Sequence, residues 1–138
     1  MTMLNERGSA LIITLMLLLI LTAIGIYAIS ISTTEMSIAL QSKTGTATMN
    51  AADAGVAYGI DQIPNTVTSY TGTLPGNTSY QVTTAATPNF TIKPGYGGNL
   101  RFQDFNVAGQ GTAPPGFTGT RGIAAVVIYG PMPMGTMY

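Results

Sequence analysis

Between Arg7 and Glu35 the chain carries no charge, and Ser9–Ile31 within that window, SALIITLMLLLILTAIGIYAISI, holds thirteen Leu or Ile residues. As a helix, about 20 such residues at ~1.5 Å each cross the ~30 Å hydrocarbon core of a bilayer. Each Leu or Ile near the centre favours insertion by roughly 0.3 to 0.6 kcal/mol, so thirteen contribute at most on the order of 4 to 8 kcal/mol. A water-soluble fold would have to cover this helix on every side, and the other ~100 residues offer too little apolar surface to do it. The stretch predicts a membrane-spanning helix.

Beside that helix, a chain of 138 residues has room for one modest domain. Five basic and five acidic residues balance, leaving no field to gather nucleic acid or acidic lipid. Charged residues are 7% of the chain, against ~25% in a typical soluble protein. Packing among other subunits accounts for that, and so does a small Thr/Asn/Gly surface. Cys and His are both absent. Disulfides, thiol nucleophiles, His-based triads and nearly all zinc sites are thereby excluded.

Two plainer membrane readings compete. Ala28-Ile29-Ser30 offers a small-x-small cut site for a secretory signal, but the apolar run exceeds the roughly 7–15 residues of such a signal. An uncleaved signal anchor is the other. Arg7 and the α-amino group precede the helix and the next basic residue is Lys43, which favours a cytoplasmic N-terminus.

Eight residues, Met1 to Gly8, precede the run and end in Glu6-Arg7-Gly8 before Ser9. This arrangement resembles the processing site of type IV pilins and pseudopilins, in which a membrane peptidase cuts after the Gly and the new N-terminus is usually methylated. Leu18-Leu19-Ile20-Leu21-Thr22-Ala23-Ile24-Gly25 resembles the LLLLTxxG run of PilX-like minor pilins. Thr34-Glu35-Met36 resembles their polar exit, and Ala51-Ala52-Asp53-Ala54-Gly55 their AAEAG segment, with Asp for Glu. The resemblance covers residues 7 to about 60; Phe102-Gln103-Asp104-Phe105 and the stretch from Tyr129 to Gly135 extend it. Counted from Ser9, the fifth residue is Ile13, where major pilins carry Glu, and Ser9 stands where Phe is common.

The resemblance implies a pilin-like α+β fold, a long N-terminal helix packed on a small antiparallel β-sheet. The expected plan is a leader over 1–8, a transmembrane and filament-core helix over 9–31, its amphipathic continuation over 32–63, and a Thr/Gly/Pro-rich β domain with a C-terminal tail over 64–138. Gly8 and Ser9 would be the processing residues, and Ile13 and Gly25 would act in filament assembly. Implied partners are a prepilin peptidase, other major and minor pilins, assembly-platform proteins and, before assembly, membrane lipid. No cofactor, nucleic acid or enzymatic activity is implied.

The residues themselves support the same layout. Met49, Ala52, Val56, Ile60 and Ile63 step by 3, 4, 4 and 3, which puts them on one helical face able to cover a sheet. Pro64 makes a natural stop. Gly55 and Gly59 share a side and would let a sheet or neighbouring helix approach, while Thr44-Gly45-Thr46 is the weakest turn, with a possible local break. Strands are predicted near Ser79–Thr84, Asn89–Lys93, Leu100–Val107 and Gly122–Tyr129, with Phe90 and Ile92 alternating between polar neighbours. The continuous run Ile123–Tyr129 suits a central strand buried on both faces. Gly109–Gly122 reads as a long loop and Gly130–Tyr138 as an extended tail that cannot continue a ladder.

Chemistry is sparse. Gly95-Tyr96-Gly97-Gly98-Asn99 lies between strands, whereas phosphate loops open a helix, so it reads as a turn. Glu35, Asp53, Asp61 and Asp104 show no calcium-loop spacing, and Asp53 and Asp61 are too far apart for a paired acid–base site. The expected role is that of a structural subunit at the inner membrane: a minor pilin or pseudopilin that helps initiate or assemble a type IV pilus or type II secretion pseudopilus. The rival is an anchored or secreted extracytoplasmic β-domain with a binding or adhesion role.

Overall fold

A computed structural model describes residues 3–133, with side chains from Gly8 onward. One helix, α1 (Met3–Asp61), precedes four strands, β1 (Tyr70–Thr73), β2 (Ser79–Thr91), β3 (Leu100–Thr112) and β4 (Thr120–Pro133). The fold is α+β and pilin-like. Two compact units divide between Gln41 and Ser42. The first is helical over its described length.

In the second unit, residues 42–61 of α1 lie on an antiparallel sheet of order β1-β2-β3-β4. The helix runs through Thr44-Gly45-Thr46 without a break. One interior Gly costs ~1 kcal/mol, too little to interrupt a helix whose next turns are held by tertiary packing. Thr46 and Thr48 donate their hydroxyls to the carbonyls of Ser42 (3.0 Å) and Thr44 (2.7 Å). After Asp61 the chain turns at Pro64, and Val67 exchanges hydrogen bonds with Thr84 of β2.

The helix approaches the sheet through missing side chains on both sides. A Cβ at Gly59 would meet Val107 and Val82 at 2.7 and 2.8 Å, and one at Gly55 would meet the Tyr80 ring at 3.1 Å. Across the interface, a Cβ at Gly109 would lie 2.6 Å from the Ala52 carbonyl oxygen, and one at Gly111 would strike the Thr48 carbonyl. The core is therefore compact: Val56, Val82 and Val107, flanked by Tyr58, Ile63, Tyr80, Ile123, Ala125 and Val127. Tyr58 stacks on Tyr70 at 4.3 Å with Tyr80 tilted against both. Partial burial, and then the neighbouring Tyr70 and Tyr58, raise the Tyr80 phenol above its ordinary pKa.

Several strand expectations are corrected. Ser79–Thr84 and Asn89–Lys93 belong to one strand, β2, whose register with β3 shifts between Ala86 and Phe90. Three residues there, Thr87 to Asn89, oppose Asp104 alone, a bulge clasped by Thr87, which donates to the Asp104 carbonyl and accepts from the Gln103 amide at 3.0 Å. Beyond the bulge Phe90 and Ile92 are exposed, with the Arg101 guanidinium 5.5 Å from the Phe90 ring. The presumed loop from Gly109 to Gly122 shrinks to residues 113–119: β3 continues to Thr112 and β4 begins at Thr120. The presumed tail continues the ladder to Pro133, opposite Leu100; residues 134–138 lie outside the described residues. Gly130 makes this possible, at φ 146° and backed against Phe102, where a side chain would be strained and blocked. Ile123–Tyr129 is the edge of the sheet and not its centre.

Replacing Gly111 by Ala should destabilise the second unit by about 1–3 kcal/mol, because the new methyl would strike the helix backbone at Thr48 and Ala52, which cannot move aside as a flexible side chain can. Gly122→Ala, whose Cβ would meet only the Gly109 carbonyl at 3.9 Å, should be neutral. Denaturant titration of both variants followed by circular dichroism checks the difference.

Candidate functional site

In the first unit, the apolar residues of α1 face outward all around the helix. Leu11, Ile12, Leu15, Leu18, Leu21, Ile24 and Ile26 are all exposed. Such a surface is stable only in lipid or against other apolar helices. Both threonine hydroxyls inside the span are satisfied by the helix itself: Thr14 donates to the Ala10 and Leu11 carbonyls, and Thr22 to those of Leu18 (2.6 Å) and Leu19 (3.0 Å). Neither asks for a partner. The helix is long and apolar enough to cross a membrane.

Gly8 and Ser9 lie within the helix and are exposed. Ile13 is 56% exposed, on the open apolar surface. Nothing stands within 4 Å of the place a Cβ would occupy at Gly8 or Gly25. Within this chain, therefore, neither position requires glycine for space.

The residues expected to pack on the sheet belong to the second unit and divide. Ala52 and Val56 are buried, and Ile63 lies half-buried against the core. Met49 and Ile60 are instead 44% and 41% exposed. The covering face is centred on Thr48, Ala51, Ala52, Gly55, Val56 and Gly59, a stripe rotated toward the small residues. A strict search for large apolar side chains misses it. The signal that reveals it is paired: Gly55 with Gly59 at helical spacing, and Gly109 with Gly111 at strand spacing.

Asp53 and Asp61 are both exposed, and among the described residues no group of three His, Cys, Asp or Glu gathers to hold a metal ion.

Residues 7–57 match the family model described as PilX N-terminal. Over this segment the chain is similar to PilX-like proteins of the type IV pilin family. That family is a structural pilin family, and the similarity together with the apolar helix fits a membrane-anchored, pilus-associated protein. No curated protein and no solved structure matches the chain. The matched segment spans the resemblance from Arg7 onward, including the Thr34-Glu35-Met36 and Ala51–Gly55 stretches.

One charge at the centre of the span costs about 2.5–3.5 kcal/mol, less than the summed contribution of its Leu and Ile residues. Leu19→Asp alone should therefore reduce carbonate-resistant membrane association, and Leu19→Asp with Ile20→Asp should abolish it. Fractionation of membranes carrying each variant measures this.

Proposed function

We propose that the chain is a minor pilin or pseudopilin: a structural subunit inserted in the inner membrane with its N-terminus cytoplasmic, cut after Gly8, and drawn into a type IV pilus or type II secretion pseudopilus. The observation that carries this reading is the PilX N-terminal match over 7–57, which falls on a helix apolar around its whole circumference. Such a surface exchanges lipid contacts for contacts with neighbouring helices at little cost, so one segment serves as membrane span and filament core. The partners on this reading are a prepilin peptidase, other pilins and the assembly platform. Arg7 before the span, with no basic residue after it until Lys43, supports the orientation.

Gly8 has open space around it, so its glycine is explained by what binds there. A peptidase must bring catalytic groups close to the backbone of a segment that is helical in the free chain, and a residue without Cβ allows both the approach and the local unwinding. Mature protein should begin at Ser9, with or without one methyl group. Gly8→Ala should slow processing, and Gly8→Leu should block it while membrane insertion persists. N-terminal sequencing of both variants from peptidase-containing membranes checks the assignment; equal cleavage of wild type and Gly8→Leu would sink it.

Gly25 likewise has no neighbour in its own chain, which suits close packing of another helix against it. Ile13 carries the finer reading. In a filament core an isolated charge costs several kcal/mol even after relaxation, so a carboxylate at the fifth position needs the amine of an adjacent subunit. A subunit at the tip has no predecessor to supply one, and Ile13 removes the need. On this reading the protein is a rare tip subunit that starts assembly. Immunogold labelling of sheared filaments should decorate one end sparsely; uniform label along the shaft would make it a repeating component.

A further inference from the structure

Strand β4 has the composition of a strand buried on both faces, yet it forms an edge. Ile123, Ala125 and Val127 are half-buried on the face toward α1, while Ala124, Val126 and Ile128 open onto the other, Val126 at 67% and Ile128 at 48% exposure. Among the described residues no strand pairs with its free side. From Arg121 to Tyr129, nine residues by number, the backbone groups on that side lack ladder partners among the described residues.

Sheet edges are normally guarded by brevity, Lys, Pro, a bulge or a covering element. The opposite edge, β1, is guarded by its length of four residues. Arg121–Tyr129 contains no Lys and no Pro, and the bulge at Gly130–Pro131 falls just beyond it. A row of unpaired backbone N–H and C=O groups has one fitting partner class, another strand. Pairing with β1 of a second copy would give a ladder of only four residues.

Pairing with β4 of a second copy gives about nine, and the strand is self-complementary for it. Set antiparallel about Val126, Val126 faces its own copy, Ala125 faces Val127, Ala124 faces Ile128, and Ile123 faces Tyr129. Apolar residues meet only apolar or aromatic ones. The one charge of the segment, Arg121, meets Pro131, and the two Arg121 side chains stand about ten residues or ~33 Å apart, well beyond the screening length. On the outer face, Ala124, Val126 and Ile128 of both copies would merge into one strip. We propose that β4 is a self-association edge, joining two four-stranded sheets into one through an antiparallel β4–β4 ladder centred on Val126.

The chain has no Cys, so single cysteines report cleanly. At the centre of the ladder the two Val126 Cα atoms would stand about 4.5–5.5 Å apart, within disulfide reach. Asn106, exposed and opposite Val126 on β3, would be three strand spacings from its copy, about 14 Å and out of reach. Mild oxidation of the purified full-length chain in detergent should give about tenfold more disulfide dimer for Val126→Cys than for Asn106→Cys, the latter geometry being too wide to bridge. Hydrogen exchange of β4 amides in the wild type should slow as protein concentration rises.

A monomeric Val126→Cys would overturn the proposal, as would equal cross-linking at both positions, which would report association through the apolar helix. Exchange protection of β4 that is independent of concentration, without cross-linking, would also overturn it, in favour of cover by residues 134–138 of the same chain. In native membranes, a Val126→Cys adduct formed solely with a different protein would assign the edge to another subunit and refute self-pairing.

Discussion

The second unit depends on one close approach, the backbone of α1 lying almost directly on the backbone of β3. Side chains ordinarily hold packed elements roughly 8–10 Å apart. Here Gly55 and Gly59 on the helix and Gly109 and Gly111 on the strand remove those spacers together, so that the Thr48 and Ala52 carbonyls face the strand where a Cβ would otherwise sit. The fully buried apolar core is correspondingly small, and without Cys no covalent staple supports it. Dispersion contacts along this seam must do what a larger core does elsewhere, and those contacts fall away steeply with separation.

The two register shifts serve that seam. Along β3, Phe105, Val107, Gly109 and Gly111 are buried at alternate positions, whereas Phe102 is buried out of phase with them. The extra residues in β2 near Thr87 and in β4 near Gly130 allow the change. Phe102 is then covered by Tyr96, edge-on at 5.0 Å, and by the Lys93 ammonium at 5.2 Å, while Phe105 meets Tyr129 edge-on at 6.1 Å. The sheet thus buries aromatics at one end and accepts the helix over the glycine-rich end.

Two apolar surfaces stay open, and they differ in kind. That of the first unit is continuous around a helix whose threonine hydroxyls are internally satisfied, so lipid and apolar helices suit it equally. The edge of β4 carries unpaired backbone groups beside its Val and Ile side chains, and those groups discriminate: a strand satisfies them and lipid does not. A chain with both surfaces has one that is permissive and one that is selective.

The run from Ser9 to Ile31 by itself determined the membrane helix, since no ~100-residue remainder can hide thirteen Leu and Ile side chains. Pro64, the turn residues and the short β-rich runs determined an α+β chain with antiparallel strands, and the ordered motifs between Arg7 and Gly55 carry the similarity to PilX N-terminal segments. Tertiary structure decided the rest. Hydrophobicity names Met49 and Ile60 as packing residues, but it measures side-chain size and not the distance at which two backbones settle; with glycines opposed, the smaller side chains won. Continuity of Ile123–Tyr129 shows that both faces favour burial, but strand order is set by connectivity. Three successive hairpins made this run the last strand of a meander, and left at an edge what its composition suited for the middle.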